Sequence, residues 1–323
     1  MGESHGMEQF GSWKRRSVMR TRSVLLALVL TTLIASSPAW TAPKAPDDGK
    51  LRIIVFGAHP DDCELDAGGT AVLWAAQGHH VKFVSTTNGD IGHATMAGGP
   101  LAKRRAAEVK EAAKVLGVEE SQVLDIHDGE LMPTLENRKE FVRLIRQWNA
   151  DIVISHRSYD YHPDHRYTAI LVQDAAFMVT VTHYCPDVEP LTKNPLFLYS
   201  ADRFQKPNPF EADIVVGIDD AIETKGKALW KLESQIESLW ATGGFERVVP
   251  VPKEGAAREK RRKAFLARRL GRDKKTGRYH GKLLKFYGRE KATKIKYVEA
   301  FEICEYGRQP SKEDIKKLFP FFN

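Results

Sequence analysis

The chain has 323 residues, 42% hydrophobic and 28% charged. That is an ordinary globular mixture able to build a core, with length for one large α/β domain or two small ones. The net charge of +7 is concentrated in residues 253–296 and says little about the front half. The three cysteines, Cys63, Cys185 and Cys304, exclude a disulfide framework, and with no CxxC or Cys/His cluster they exclude a thiolate zinc site of the usual spacing.

Residues 1–39 read as a targeting segment and not as fold. Lys14, Arg15, Arg16, Arg20 and Arg22 precede an apolar run over 24–34, and small residues follow at Ser36, Ser37 and Ala39. Basic, then apolar, then small is the layout of a secretory signal, with cleavage expected after Ala39 and Met19 an alternative start. The run is shorter than the ~20 residues of a membrane span, and Arg15-Arg16 is a weak match to a twin-arginine signal. The expectation is an exported protein, periplasmic or extracellular, that meets the membrane only through export. Residues 40–50 read as a linker.

The first strand is expected over residues 51–56, ending in Gly57-Ala58-His59-Pro60-Asp61-Asp62. A helix follows over 67–77 with a glycine stop at Gly78, then a strand over 81–86 and the loop Thr87-Asn88-Gly89-Asp90-Ile91-Gly92-His93. An amphipathic helix over 102–116, a short strand over 123–126, a helix over 137–148 and a strand over 151–155 come next. Beyond His156-Arg157-Ser158-Tyr159-Asp160-Tyr161-His162-Pro163-Asp164-His165 lie a helix over 168–181, strands over 196–200 and 213–218, and a helix over 221–240. The basic stretch 251–296 precedes a last strand over 297–304. Strand and helix in alternation predict right-handed crossovers and a mostly parallel α/β sheet with helices on both faces. The expected organisation is one domain over 51–323, with 251–296 a basic insertion or lid.

Two corners carry the chemistry: His59-Pro60-Asp61-Asp62 and His162-Pro163-Asp164-His165. Both follow predicted strands whose carboxyl ends share one rim, where α/β proteins bind ligands. Imidazole and carboxylate suit zinc, and a catalytic zinc keeps three protein ligands. His59, Asp62 and His165 supply two nitrogens and an oxygen. Asp61 then remains free to act as general base, and His162, held protonated by Asp164, serves as acid or oxyanion partner. Each corner alone has a plainer reading, a surface turn or carboxylates favoured by a helix dipole. For Glu64 and Asp66 the dipole explanation serves at least as well as a site role, and Cys63 reads as a packed small residue.

Ala58-His59-Pro60-Asp61-Asp62, Gly68-Gly69-Thr70 and His162-Pro163-Asp164-His165 resemble the PIG-L (LmbE-like) zinc-dependent N-deacetylases. Thr87-Asn88-Gly89, Leu116-Gly117-Val118, Asp128-Gly129 and Ser234-Gln235 support the resemblance, which spans roughly residues 51–240. It implies a Rossmann-like sheet and removal of acetyl from an N-acetylglucosamine-type amide. It implies zinc, or another divalent metal, on His59, Asp62 and His165, with Asp61 as base and His162 and Asp164 as above. It also implies a substrate-holding arginine ahead of Glu108, where both Arg104 and Arg105 lie, with the spacing to Glu108 favouring Arg105. The sequence departs from the pattern at Glu233, where relatives often place a histidine, and in the length of the basic stretch.

The function expected is hydrolysis of an N-acetyl amide on an amino sugar or its conjugate. The alternative is a carbohydrate-binding protein that keeps fold and metal without catalysis. A dinucleotide oxidoreductase is disfavoured because no G-x-G-x-x-G follows the first strand. The basic stretch reads as a solvated, partly mobile insertion, or else as a lid or a patch for anionic glycans or membrane phosphates. Export disfavours a nucleic-acid partner.

Overall fold

A computed structural model describes residue 45 and residues 48–241, 244–248, 250–274 and 277–322. The expected signal at 1–39 and most of the linker lie outside these residues. No described helix is long and apolar enough to cross a membrane.

The elements run β1 (Arg52–Gly57), α1 (Asp62–Ala76), β2 (His80–Ser85), α2 (Gly99–Leu116), β3 (Glu120–Val123), α3 (Leu135–Trp148), β4 (Ile152–Ser155) and α4 (Pro163–Met178). The second half adds β5 (Leu196–Ser200), β6 (Ile214–Gly217), α5 (Ile222–Leu229), α6 (Glu233–Glu237), β7 (Ser238–Ala241) and β8 (Gly244–Val248). It closes with α7 (Gly255–Arg269), α8 (His280–Lys294), β9 (Val298–Ile303) and α9 (Lys312–Leu318).

Seven strands form one sheet in the order β3-β2-β1-β4-β5-β9-β6. The pairs among β1 to β5 are parallel, and β9 runs antiparallel to both β5 and β6. The expected mostly parallel α/β sheet with helices on both faces is therefore what forms. β1 alternates between two cores: Ile53 and Val55 pack with α1, α2 and α5, while Ile54 and Phe56 pack with α3 and α4. A strand buried on both faces reads as an unbroken apolar run, which is why its sequence signal is strong. Each such side chain contributes roughly 1.5–3 kcal/mol of burial.

The chain leaves β1 toward β2 and β3, then returns to β4 on the other side. The order reverses between β1 and β4, where an open α/β sheet opens a crevice at its strand ends. Val55 pairs with Ile154, so the corners after these two strands stand level. Gly57 permits the sharp exit from β1, since a Cβ there would meet Asp62 Cβ at 2.7 Å. Pro163 opens α4, and His162 caps it by accepting the Asp164 N–H at 3.2 Å.

Three expectations shift. β3 forms at Glu120–Val123, ahead of the apolar run at 123–126, because an edge strand can place polar side chains outward and Lys82 pairs with Glu120 at 2.9 Å. The single helix expected over 221–240 divides into α5 and α6, because Glu108 takes both the Ser234 N–H (2.9 Å) and its hydroxyl (2.6 Å), restarting the chain at that point. The basic stretch is built into the fold instead of lying as a solvated insertion. Tyr279, Leu283 and Ala292 are buried against Val215, Val298 and Ala300, and Phe265 and Leu270 pack on the main core. Beneath them Asp273 bonds the buried Lys225 Nζ at 2.8 Å, and that ammonium also holds Glu299 and the Leu65 carbonyl, each at 2.8 Å.

Candidate active site

The corner after β1 and the corner after β4 meet at the crevice. His59 Nδ1 lies 3.4 Å from Asp62 Oδ2, His165 Nε2 lies 3.4 Å from the same oxygen, and the two imidazole nitrogens are 3.2 Å apart. Three ligands on a tetrahedral ion, with bonds of about 2.0–2.1 Å, stand roughly 3.3 Å from one another. The donor atoms match that triangle in spacing and in chemical type. Burial would push the Asp62 carboxyl up, but His165 and His156 outweigh it and hold the group well below the usual carboxylate range.

Carboxylates stand behind the imidazoles. His59 Nε2 is 3.1 Å from Asp128 Oδ1 and 3.3 Å from Asp164 Oδ2, and His165 Nδ1 is 3.2 Å from Asp160 Oδ2. In each ring the nitrogen away from the triangle thus faces a carboxylate, an arrangement that sets tautomer and basicity in metal-binding histidines. His156 stacks on His165 at 4.1 Å between ring centroids, and its Nε2 accepts the Ala58 N–H at 3.0 Å. That bond occupies the lone pair His156 would need as a ligand.

Asp61 is the N-cap residue of α1, and its Oδ1 accepts from Arg105 Nη2 at 3.1 Å. Burial raises the Asp61 pKa, with Arg105 opposing. Arg105 itself is 3% exposed and donates to the Gly89 carbonyl (3.1 Å), the Pro60 carbonyl (3.0 Å) and Asp61. The substrate-holding arginine of the sequence reading is in this geometry a clamp on the Asp61 corner.

His162 also departs from expectation. Its Nδ1 is engaged with the Asp164 backbone and lies 4.0 Å from the Asp164 carboxylate. That carboxylate is turned to His59 and to the Gly129 and Leu131 N–H groups at 2.7 and 3.3 Å. Burial, then the nearby His59 and His165, lowers the His162 pKa. Asp164 thus makes its close contacts with His59 and the backbone, and its charge only opposes the lowering at His162. With Nδ1 accepting the Asp164 N–H, Nε2 is the ring nitrogen left to act in the cleft.

These groups line a cleft of about 1430 Å³ that extends past Tyr161, Phe204 and Gln235 to α7. Sequence reasoning assigned no site role to Asp128, His156 or Asp160. Their only signal was proximity to predicted strand ends, because their partners lie tens of residues away.

A family model described as "PIG-L: GlcNAc-PI de-N-acetylase" matches residues 54–176. Diacetylchitobiose deacetylase of Thermococcus kodakarensis is 32% identical over 206 residues, covering 60% of this chain and 74% of that protein. Among solved structures, N,N'-diacetylchitobiose deacetylase from Pyrococcus horikoshii superposes with a TM-score of 0.57 at 22% identity, over 81% of this chain and 87% of that one. GalB, the 4-carboxy-2-hydroxymuconate hydratase of Pseudomonas putida, reaches 0.60 at 19% identity over 81% and 99%. Likeness at these identities speaks for the fold alone, and a hydratase among the neighbours shows why the site must carry the chemical argument. With its sheet, its His/Asp cluster and the matched motifs taken together, the chain belongs to the PIG-L family of de-N-acetylases.

Proposed function

We propose that this protein is a zinc-dependent N-deacetylase that hydrolyses the acetamide of an amino sugar or its conjugate. The observation that carries the reading is the donor triangle of His59 Nδ1, Asp62 Oδ2 and His165 Nε2, with sides of 3.2–3.4 Å. The chemistry supplied by a divalent cation held there is Lewis acidity, which brings the pKa of water from about 16 to roughly 7 and polarises a carbonyl.

The chain's own residues do the rest. Asp61, kept off the triangle by Arg105, accepts the proton of the attacking water and can return it to the leaving amine. His162 presents its Nε2–H to the amide oxygen as negative charge develops there. Asp128 and Asp164 orient His59, and Asp160 orients His165. Tyr161 and Phe204, 6.2 Å apart between centroids on the cleft wall, offer apolar faces to a sugar ring. Export of the chain remains part of this reading.

The test is acetate release from a panel of N-acetylated sugars, with zinc content measured on the same sample. Activity should vanish on chelation and return with zinc. Glycan binding with no acetate release at any metal loading would replace the enzyme by a binding protein.

A further inference from the structure

The cleft holds positive charge that the reaction above leaves unused. Arg203, Arg268 and Arg269 line it, and their guanidinium groups make no hydrogen bond or ion pair with any described residue. Among the described residues, Arg261 bonds only the Ile236 carbonyl, at 2.8 Å, and Arg278 only the Tyr279 hydroxyl. The acidic groups nearby are committed elsewhere: Asp61 to Arg105 (3.1 Å), Asp66 to Arg272 (2.8 Å), Asp202 to Arg157 (3.2 Å) and Asp273 to Lys225 (2.8 Å).

This charge is held in place. Arg272 is tied to Asp66 on α1, and the next residue, Asp273, is buried on Lys225 beneath it. The end of α7 is therefore pinned beside the His/Asp cluster, and Arg269 lies within electrostatic reach of Asp61. Like charges gathered in a concave, half-apolar site repel one another and raise the local concentration of anions. Guanidinium forks are matched to phosphate, sulfate and carboxylate oxygens.

We infer that the arginines at the end of α7, with Arg203, form an anion subsite of the cleft, so that the acetylated amino sugar carries a phosphate, sulfate or carboxylate beyond the reacting amide. This rests on the deacetylase reading and narrows its substrate class. These arginines lie outside residues 54–176, so nothing in the family match supplies them.

The experiment uses the zinc-loaded full chain and four probes: N-acetylglucosamine, its 1-phosphate, its 6-sulfate and N-acetylmuramic acid. The kcat/KM for at least one anionic probe should exceed that for the neutral sugar by about tenfold or more. That advantage should shrink about tenfold in the Arg268→Gln/Arg269→Gln variant, and it should fall as salt rises from about 50 to about 200 mM. The probe that gains most identifies the anion. Parity between neutral and anionic sugars, or an unchanged ratio in the double variant, overturns the subsite and leaves the deacetylase standing. If no probe releases acetate, the deacetylase reading fails, and equilibrium binding decides the subsite. Tighter anionic binding that weakens in the variant supports it, and equal binding of all four probes overturns it.

Discussion

Asp61 and Asp62 are neighbours in sequence and opposites in environment. Asp62 faces His59, His156 and His165 within 3.4 Å, and Asp61 faces Arg105. In the proposed function the first carboxylate holds the cation and the second moves a proton. Asp61→Asn should keep the metal and lower kcat by about 10²–10⁴-fold, the usual worth of a general base, as checked by acetate release alongside metal analysis. Asp128→Asn should act differently, weakening zinc affinity about 10–100-fold in a chelator competition, because it removes a carboxylate charge 3.1 Å from His59 Nε2. Glu64, 2% exposed on α1, has its carboxyl pushed by burial up to about 8. A raised acid holds its proton in the folded chain after the unfolded chain has lost it, so stability falls as pH climbs from its ordinary 4.5 toward 8. Glu64→Gln should remove that slope, a gain of about 3–5 kcal/mol at pH near 9 relative to pH near 4, read from urea unfolding at both.

At the scale of elements, the site depends on how α1, α4 and the end of α7 are held. Lys225 is fully buried with Glu299 and Asp273, and Glu299 in turn takes the Gly69 and Thr70 N–H groups of α1 at 2.8 and 2.7 Å. Burial pushes the Lys225 pKa down, but Glu299 and Asp273 push it further up, so the ammonium stays charged. Lys225→Met leaves two buried carboxylates without their cation and should cost about 3–5 kcal/mol in a denaturant titration, while the same volume of apolar side chain elsewhere would not. Such a link between the basic stretch and the first helix has no local signature. Lys225, Asp273 and Glu299 are spread across the chain and make sense only when α5, the turn after α7, and β9 converge.

Across the whole molecule, two His/Asp corners about a hundred residues apart become one site because the sheet reverses direction between β1 and β4. Closing a cation between them joins both halves of the parallel sheet. Zinc at about a thousand times its dissociation constant should add about 4 kcal/mol of stability, seen as a melting temperature that rises with zinc and drops with chelator. The same comparison on His165→Ala should show little zinc response, since one corner of the donor triangle is gone.

The parallel core and both motif corners were legible in the sequence. Each rests on local rules: unbroken apolar runs for strands buried on two faces, and His, Pro and Asp crowded at their ends. His59, Asp62 and His165 were likewise named from residue type and spacing, and their meeting follows from strand order. Only the tertiary structure decided that Arg105 braces Asp61, that Asp164 turns to His59 and not to His162, and that Asp128 and Asp160 stand behind the His59 and His165 rings. It also decided that the basic stretch is a wall of the cleft. In each case a charged side chain chooses among partners distant in sequence, and that choice is set by which groups the packed core brings within about 3 Å, a quantity no local pattern encodes.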